Sequence, residues 1–231
     1  MPKLISRETL LRFLPRRHAV RSYTRELVGN DKREFLFQLC RDLSTPSIRI
    51  QCFMDDPNAI TGLMPRLLGF HNANNYVAFF VKDKKDYEEV GYRGELIVLT
   101  MQYLGLQSCW IGGTFSKKKA KAKPKEGEKL LLIIAFGYGV DEGKPHRSKK
   151  IEKISLSPAP YPDWYKAGLD AVLLAPSAMN QQKIRFRYEG EKAEAICKGG
   201  AFTPIDLGIA KCHFDLGAGP GHLEGTLLNE K

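Results

Sequence analysis

Apolar residues recur along this chain with two periods, and each switch between them marks an element. Leu10, Leu11 and Leu14 follow Ser6, a residue able to cap a helix, so residues 6–15 are expected to form a short helix. Phe35, Leu36, Leu39 and Leu43 predict a second helix over 31–43, and the alternation of Ile48, Ile50, Cys52 and Met54 predicts a strand over 47–54. The unbroken apolar runs at 76–81 and 129–138 predict buried strands. Between them, residues 88–106 carry Leu96, Ile97, Val98, Leu99, Met101, Tyr103 and Leu104 on nearly every side of a helix, which predicts that the helix is buried. Pro158, Pro160 and Pro162 then interrupt the pattern, and 154–162 reads as a linker. Beyond it come a helix over 164–174, two strands (184–188 and 193–197) with Glu189-Gly190-Glu191-Lys192 as their turn, and a helix over 206–218. The expected class is α+β, mainly antiparallel sheet with long buried helices.

The later elements echo the earlier ones. Residues 95–103 can be laid over 206–214, with an acid at the start and a matching apolar rhythm, and Ile48-Arg49-Ile50 echoes Ile184-Arg185-Phe186. Two pseudo-repeated halves follow as an expectation, 1–153 and a reduced 154–231, forming together one compact unit.

Composition narrows the class. Hydrophobic residues make up 43% and charged residues 27% of 231, values typical of a globular protein in water. No stretch approaches the roughly 20 apolar residues that span a bilayer. The opening Met1-Pro2-Lys3-Leu4-Ile5-Ser6-Arg7-Glu8 places charges where a signal peptide needs apolar residues. A cytoplasmic protein with no membrane partner is expected. The 5 cysteines (Cys40, Cys52, Cys109, Cys197, Cys212) show no metal-site spacing and read as free thiols. The histidines form no zinc pattern, so no metal is expected.

The formal net charge of +10 is partly gathered in Lys117-Lys118-Lys119-Ala120-Lys121-Ala122-Lys123-Pro124-Lys125. A solvated loop after a helix is the simpler reading, because no aromatic residues interleave to stack bases. A basic RNA-binding domain is the less favoured one, and no nucleic-acid partner is expected. Arg17, Arg21, Arg147 and Lys149 suit a bound phosphate better.

Three constellations carry chemistry. The first is Arg16-Arg17-His18-Ala19-Val20-Arg21-Ser22-Tyr23, whose guanidinium forks match phosphate oxygens and stay charged at any working pH. The second is Gly105-Leu106-Gln107-Ser108-Cys109-Trp110-Ile111-Gly112-Gly113, a turn after the central helix whose glycines permit close backbone approach. The third is Ala175-Pro176-Ser177-Ala178-Met179-Asn180-Gln181-Gln182, whose amides offer donors and acceptors and whose small Ser177 and Ala178 expose backbone N–H groups.

Together these resemble the flavin-binding motifs of the nitroreductase family. The resemblance implies bound FMN, reduction of that flavin by hydride from NAD(P)H, and ping-pong transfer to a nitroaromatic, quinone or similar flat acceptor. It implies that Arg17 meets the phosphate or ribityl chain, with His18 and Ala19 between it and Arg21, and that Arg21 reaches the ring near N1. Gly112 and Gly113 would pass over the ring, with Asn72 a further ring contact. Pro176, Ser177, Ala178, Asn180 and Gln182 would meet the ring edge, and Arg147 and Lys149, after Gly137-Tyr138-Gly139, would complete the phosphate site. No catalytic side chain is implied, and His213 reads as structural.

The order departs from the family's, which places the proline-serine-asparagine motif between the other two and supplies it from a partner subunit. Here it comes last, and Lys183 follows where a proline is usual. At the usual position stands Cys40-Arg41-Asp42-Leu43-Ser44-Thr45-Pro46, which lacks the amide pair. The second half has no arginine cluster of its own. The inference is a covalent pseudo-dimer with one FMN site, permitted to be monomeric, with strands exchanged or shared between the halves. The alternative is a non-catalytic FMN-binding or regulatory module, its flavin face closed by a cover such as residues 61–70.

Overall fold

The computed structural model describes residues 5–197, 199–200 and 202–223; Met1–Leu4, read above for their charge, lie outside the described residues. The chain divides into two compact units. The first comprises Arg16–Asp86 and Ile97–Lys144. Its sheet contains β1 (Ile48–Phe53), β2 (Asn75–Val81), β3 (Gln107–Ile111) and β4 (Lys129–Gly137). The strand order is β1-β2-β4-β3 and every pairing is antiparallel. The sequence explains this order. The two unbroken apolar runs are β2 and β4, which occupy the centre, where both faces are covered. β1, whose side chains alternate in burial, takes an edge. α2 (Asn30–Asp42) buries Leu36, Leu39 and Cys40 and packs on β1. The short helix α3 (Leu63–Leu67) lies between β1 and β2 in the chain.

The second unit comprises Ile5–Pro15, Tyr87–Leu96 and the described residues from Pro145 on. α1 (Arg7–Phe13) starts at Ser6, whose Oγ accepts from the Thr9 N–H at 3.3 Å, the cap expected from the sequence. α4 (Tyr87–Tyr103) gives its first ten residues to this unit and the rest to the other. α5 (Asp163–Val172), the hairpin of β5 (Arg185–Glu189) and β6 (Lys192–Ile196), and α6 (Thr203–Ala218) complete it. The core joins Tyr165, Leu169, Phe186 and Phe214, with Phe186 and Phe214 stacked at 4.7 Å between centroids.

Glycines set the helix crossings here. A methyl group at Gly208 would lie 1.8 Å from the Glu88 carbonyl oxygen, and one at Gly91 would lie 2.1 Å from that of Ile205. The backbones of α6 and the start of α4 are therefore in direct contact. His213 is fully buried, with Nδ1 3.0 Å from the Ala171 carbonyl and Nε2 2.9 Å from Glu95 Oε1. It ties three helices together, and both its nitrogens are used within the fold.

The α+β class with antiparallel sheet is as expected; four local expectations are corrected. First, Cys109-Trp110-Ile111 is not a turn but the end of strand β3. The helix stops at Tyr103 because Gly105 takes φ +75°, and Gln107–Ile111 then pairs with β4. Second, the lysine run follows that strand rather than a helix, and its Ala120 and Ala122 are buried while its lysines face water. Third, 154–162 is not a free linker. Its first residues run beside β5, with Phe186 N–H donating to Ile154 O (2.8 Å) and Leu156 N–H to Phe186 O (2.7 Å). The prolines come after this stretch and leave its donors available. Fourth, each sheet lies within one unit, so the described ladders show no sharing of strands. The outer edge of β3 is met instead by the 19–20 segment.

The compact units also do not divide at 153/154. The first ends at Lys144, and the second recruits 5–15 and 87–96. Compactness records which residues touch; the two-half reading concerns how the sequence is built.

Candidate functional site

In the first unit, the arginine segment runs extended and is held by backbone bonds on three sides. Val20 N–H donates to Ser108 O of β3 (3.0 Å). Tyr23 N–H donates to His71 O (3.0 Å), and His71 N–H donates to Arg21 O (3.1 Å). Thr24 N–H donates to Tyr138 O (2.8 Å), and Val140 N–H to Ser22 O (3.0 Å). Buried Tyr23 anchors the strip, its hydroxyl donating to Val20 O at 2.7 Å. Arg17 is buried, Arg21 is exposed with its guanidinium carbon 5.9 Å from the Phe70 ring centroid, and Ala19 is exposed between them.

The two guanidinium groups act on one point. Burial pushes the Cys109 thiol above its ordinary range, while the positive charges of Arg21 and Arg17, with a hydrogen bond from Arg21, pull it back. Both arginines thus lie close enough to Cys109 of β3 to act on its thiol. His18 is held below the usual imidazole range, first by burial and then by the Arg17 charge. Gly143, at φ +75°, lies under this segment: a methyl group there would sit 2.8 Å from His18 Cβ. Asn72, with φ +52°, donates from Nδ2 to Tyr23 O at 3.0 Å, so this predicted ring contact braces the same strip. Gly113 stands at the exit of β3, and a methyl group there would meet nothing within 4 Å. The protein's own packing does not require that glycine.

In the second unit, the structure gathers Arg147 and Lys149 with the proline-serine-asparagine segment. Asn180 Nδ2 and Gln182 Nε2 both donate to Arg147 O, at 3.0 and 2.9 Å. Gln182 Oε1 accepts from Lys149 N–H at 2.9 Å, and Lys149 Nζ donates to the carbonyls of Gln181 and Gln182, each at 2.8 Å. Ser177 Oγ accepts from Gln182 N–H at 3.0 Å. Ala178 N–H donates to Asp206 Oδ1 at 3.0 Å. Met179, Asn180 and Gln182 all have positive φ, near 50°, an uncommon cluster for residues with side chains. The amides foreseen for a ring edge are thus engaged on the 147–149 backbone and act there as clamps.

Lys149 is held below the usual lysine range by burial and by the nearby positive charges of Arg185 and Lys183. Three cations of one sign in one place suit an anion. Asp206 is pushed up to about 6 by burial, against the pull of the Ala178 N–H and Lys183. Cys109, Gly143, Asp206, Lys183 and Arg185 were not foreseen as site residues. Only the spacing of Gly139 and Gly143 after a strand hinted at any of them, because the others are assembled by contacts distant in sequence.

Comparison with known proteins bears on the fold and the family. A family model described as "Putative TM nitroreductase" matches residues 9–218. No curated protein matches. Among solved structures, a "putative nitroreductase" from Thermotoga maritima is similar at 20% identity and TM-score 0.67, over 90% of this chain and 82% of that one. A "Putative NADH dehydrogenase/NAD(P)H nitroreductase" from Bacteroides thetaiotaomicron is similar at 17% identity and TM-score 0.50, over 63% of this chain and 95% of its own. A "putative nitroreductase in complex with fmn" from Desulfovibrio desulfuricans is similar at 18% identity and TM-score 0.50, over 66% and 98%. At these identities the structural likeness shows the fold; the family match, which spans most of the chain, shows that this protein belongs to the nitroreductase family of oxidoreductases.

Proposed function

We propose that the chain binds FMN and works as an NAD(P)H-dependent oxidoreductase, delivering electrons to a nitroaromatic, quinone or similar flat acceptor. The observation that carries this reading is the arginine strip. Backbone bonds on three sides hold the segment that carries both guanidinium groups against β3, whose exit glycine the protein's own packing does not require. That donor set fits a flavin mononucleotide, which needs cations for its phosphate and open backbone for its ring.

When bound, FMN supplies the hydride acceptor and electron carrier that the chain's own side chains lack. The residues bind, orient and charge it. Arg17 serves the phosphate end, where a guanidinium pairs bidentately with oxygen. Arg21 keeps a fixed positive charge that favours any negative charge developing beside it. His18 and Ala19 continue the strip, Asn72 braces it, and Gly112 and Gly113 leave room above β3. In the second unit, Arg147 and Lys149 offer cations to an anion and are held in place by Asn180 and Gln182, while Pro176, Ser177 and Ala178 shape the turn that presents them.

We infer further that 1–153 and 154–231 are diverged halves and that each chain holds one flavin. Two observations support this. Apart from the short α3 between β1 and β2, the order helix–strand–antiparallel strand–helix occurs twice, as α2-β1-β2-α4 and α5-β5-β6-α6. Nearly whole neighbouring chains also lie within about two thirds of this one.

The visible spectrum of the purified protein after exposure to FMN tests the reading. A flavin spectrum that NADH or NADPH bleaches without oxygen is the expected result. Flavin bleached by dithionite alone would favour the non-catalytic module, and a protein that retains no FMN would overturn the proposal. Arg21→Ala should keep most of the flavin yet slow its bleaching about 10- to 100-fold, as loss of a fixed charge beside a reacting group does.

A further inference from the structure

One surface of the first unit, within residues 61–70, has no part in the flavin reading proposed above. α3 is amphipathic in the reverse sense. Pro65 is buried, whereas Leu63 (73% exposed), Met64 (57%), Leu67 (70%) and Leu68 (44%) face water. These positions, spaced i, i+1, i+4 and i+5, share one side of the helix. Isolated exposed leucines are ordinary, but four on one turn and a half form a patch.

The lysine run flanks it. Ser116 N–H donates to Ala59 O at 2.8 Å, and Lys121 N–H donates to Asp56 Oδ2 at 2.8 Å, so the two loops are stitched together. Ile60 and Phe70, on either side of α3, share a core cluster with Phe115, Ala120 and Ala122 of the lysine loop. From 117 to 125 the chain carries six lysines and no acid. Of the nearby carboxylates, Glu128 pairs with Arg49 and also accepts from the Lys125 N–H, Asp55 pairs with Arg33, Asp56 accepts from the Tyr76 hydroxyl and the Lys121 N–H, and Glu126 follows the run. Among the described residues, the lysine ammonium groups that make hydrogen bonds here donate to carbonyls, as Lys117 does to Leu130 O and Lys123 to Lys118 O. Six lysines exceed these carboxylates and leave the loop with a net positive charge.

We propose that this face docks on an anionic lipid bilayer, with the α3 leucines entering the headgroup boundary and the lysines meeting acidic headgroups. An exposed apolar strip beside a net positive lysine loop is the chemistry that an anionic membrane surface selects. A nucleic acid would use the lysines but not the leucines, and a second copy of this chain would bring a like charge of +10 to the contact. That no helix among the described residues is long and apolar enough to cross a membrane bears on crossing a bilayer and not on lying against one, so the expectation of no membrane partner does not follow from it.

Co-sedimentation of the full chain with vesicles tests this, independently of any flavin. The expected result is binding to phosphatidylcholine–phosphatidylglycerol vesicles, little binding to phosphatidylcholine alone, and release in roughly 0.5 M salt. Leu63→Ser with Leu67→Ser, and separately Lys118→Glu with Lys119→Glu, should each weaken the partition about tenfold or more with unchanged thermal unfolding. Binding that ignores lipid charge, that survives both double variants, or that never occurs overturns the proposal. So does a self-associated chain that Leu63→Ser with Leu67→Ser converts to monomer without loss of vesicle binding.

Discussion

Asp206 shows how one residue can couple the candidate site to pH. It lies in the first turn of α6, where an acid usually meets favourable N–H groups, yet burial dominates and pushes its carboxyl up to about 6. Between the ordinary carboxylate range and that value, the folded chain binds more protons than the unfolded one. Its contribution to stability therefore falls as pH rises through about 4 to 6, and above that the penalty is complete, up to roughly 3 kcal/mol. Asp206→Asn keeps an oxygen to accept from the Ala178 N–H and removes the charge. Urea unfolding of both proteins should show the variant gaining on the wild type as pH rises across that window; a difference that is flat or reversed would disprove the assignment. Arg17, Arg21, Asn180 and Gln182 were legible as candidates from residue type and spacing. Their actual partners were not. An amide that can match a ring edge can equally clamp a carbonyl, and the choice depends on residues 147–149, more than thirty positions away.

At the scale of elements, periodicity located most of the described helices and strands but not α3, since a buried face constrains which positions can be apolar and α3 buries little. It failed at the end of α4 because a glycine-terminated helix followed by the mixed pentapeptide 107–111 reads equally as turn or strand. The neighbour that decides it, β4, lies more than twenty residues on. The glycines of α4 and α6 were likewise uninformative in sequence. In the structure they set the crossing, and substituting them separates two functions of glycine. Gly208→Ala drives a methyl group into the Glu88 carbonyl and should cost about 3 kcal/mol, because backbone cannot yield as a side chain can. Gly113→Ala meets open space at a φ that alanine accepts, so it should change ligand-free stability by less than about 0.5 kcal/mol. If Gly113 keeps room for a flavin, the same variant should retain FMN more weakly, as read by flavin fluorescence on dilution. Equal retention would remove that glycine from the site.

For the molecule as a whole, the proposed single flavin per chain has a consequence for assembly. A site completed within one polypeptide needs no association step, so its occupancy does not depend on protein concentration. Extracted FMN should equal one per chain at every dilution, with the ratio unchanged when light scattering reports monomer. Two flavins per chain, or flavin lost in parallel with dissociation of a dimer, would contradict the fused-halves reading. The sequence by itself determined the α+β class, most of the element boundaries and the family, because hydrophobic period and short motifs are local properties of the chain. Only the tertiary structure decided where β3 pairs, which side chains hold the arginine strip, that the amides clamp the 147–149 backbone, and that α3 turns its leucines to water. Each of these depends on contacts between distant residues, where burial and hydrogen-bond geometry choose among roles that the local sequence permits equally.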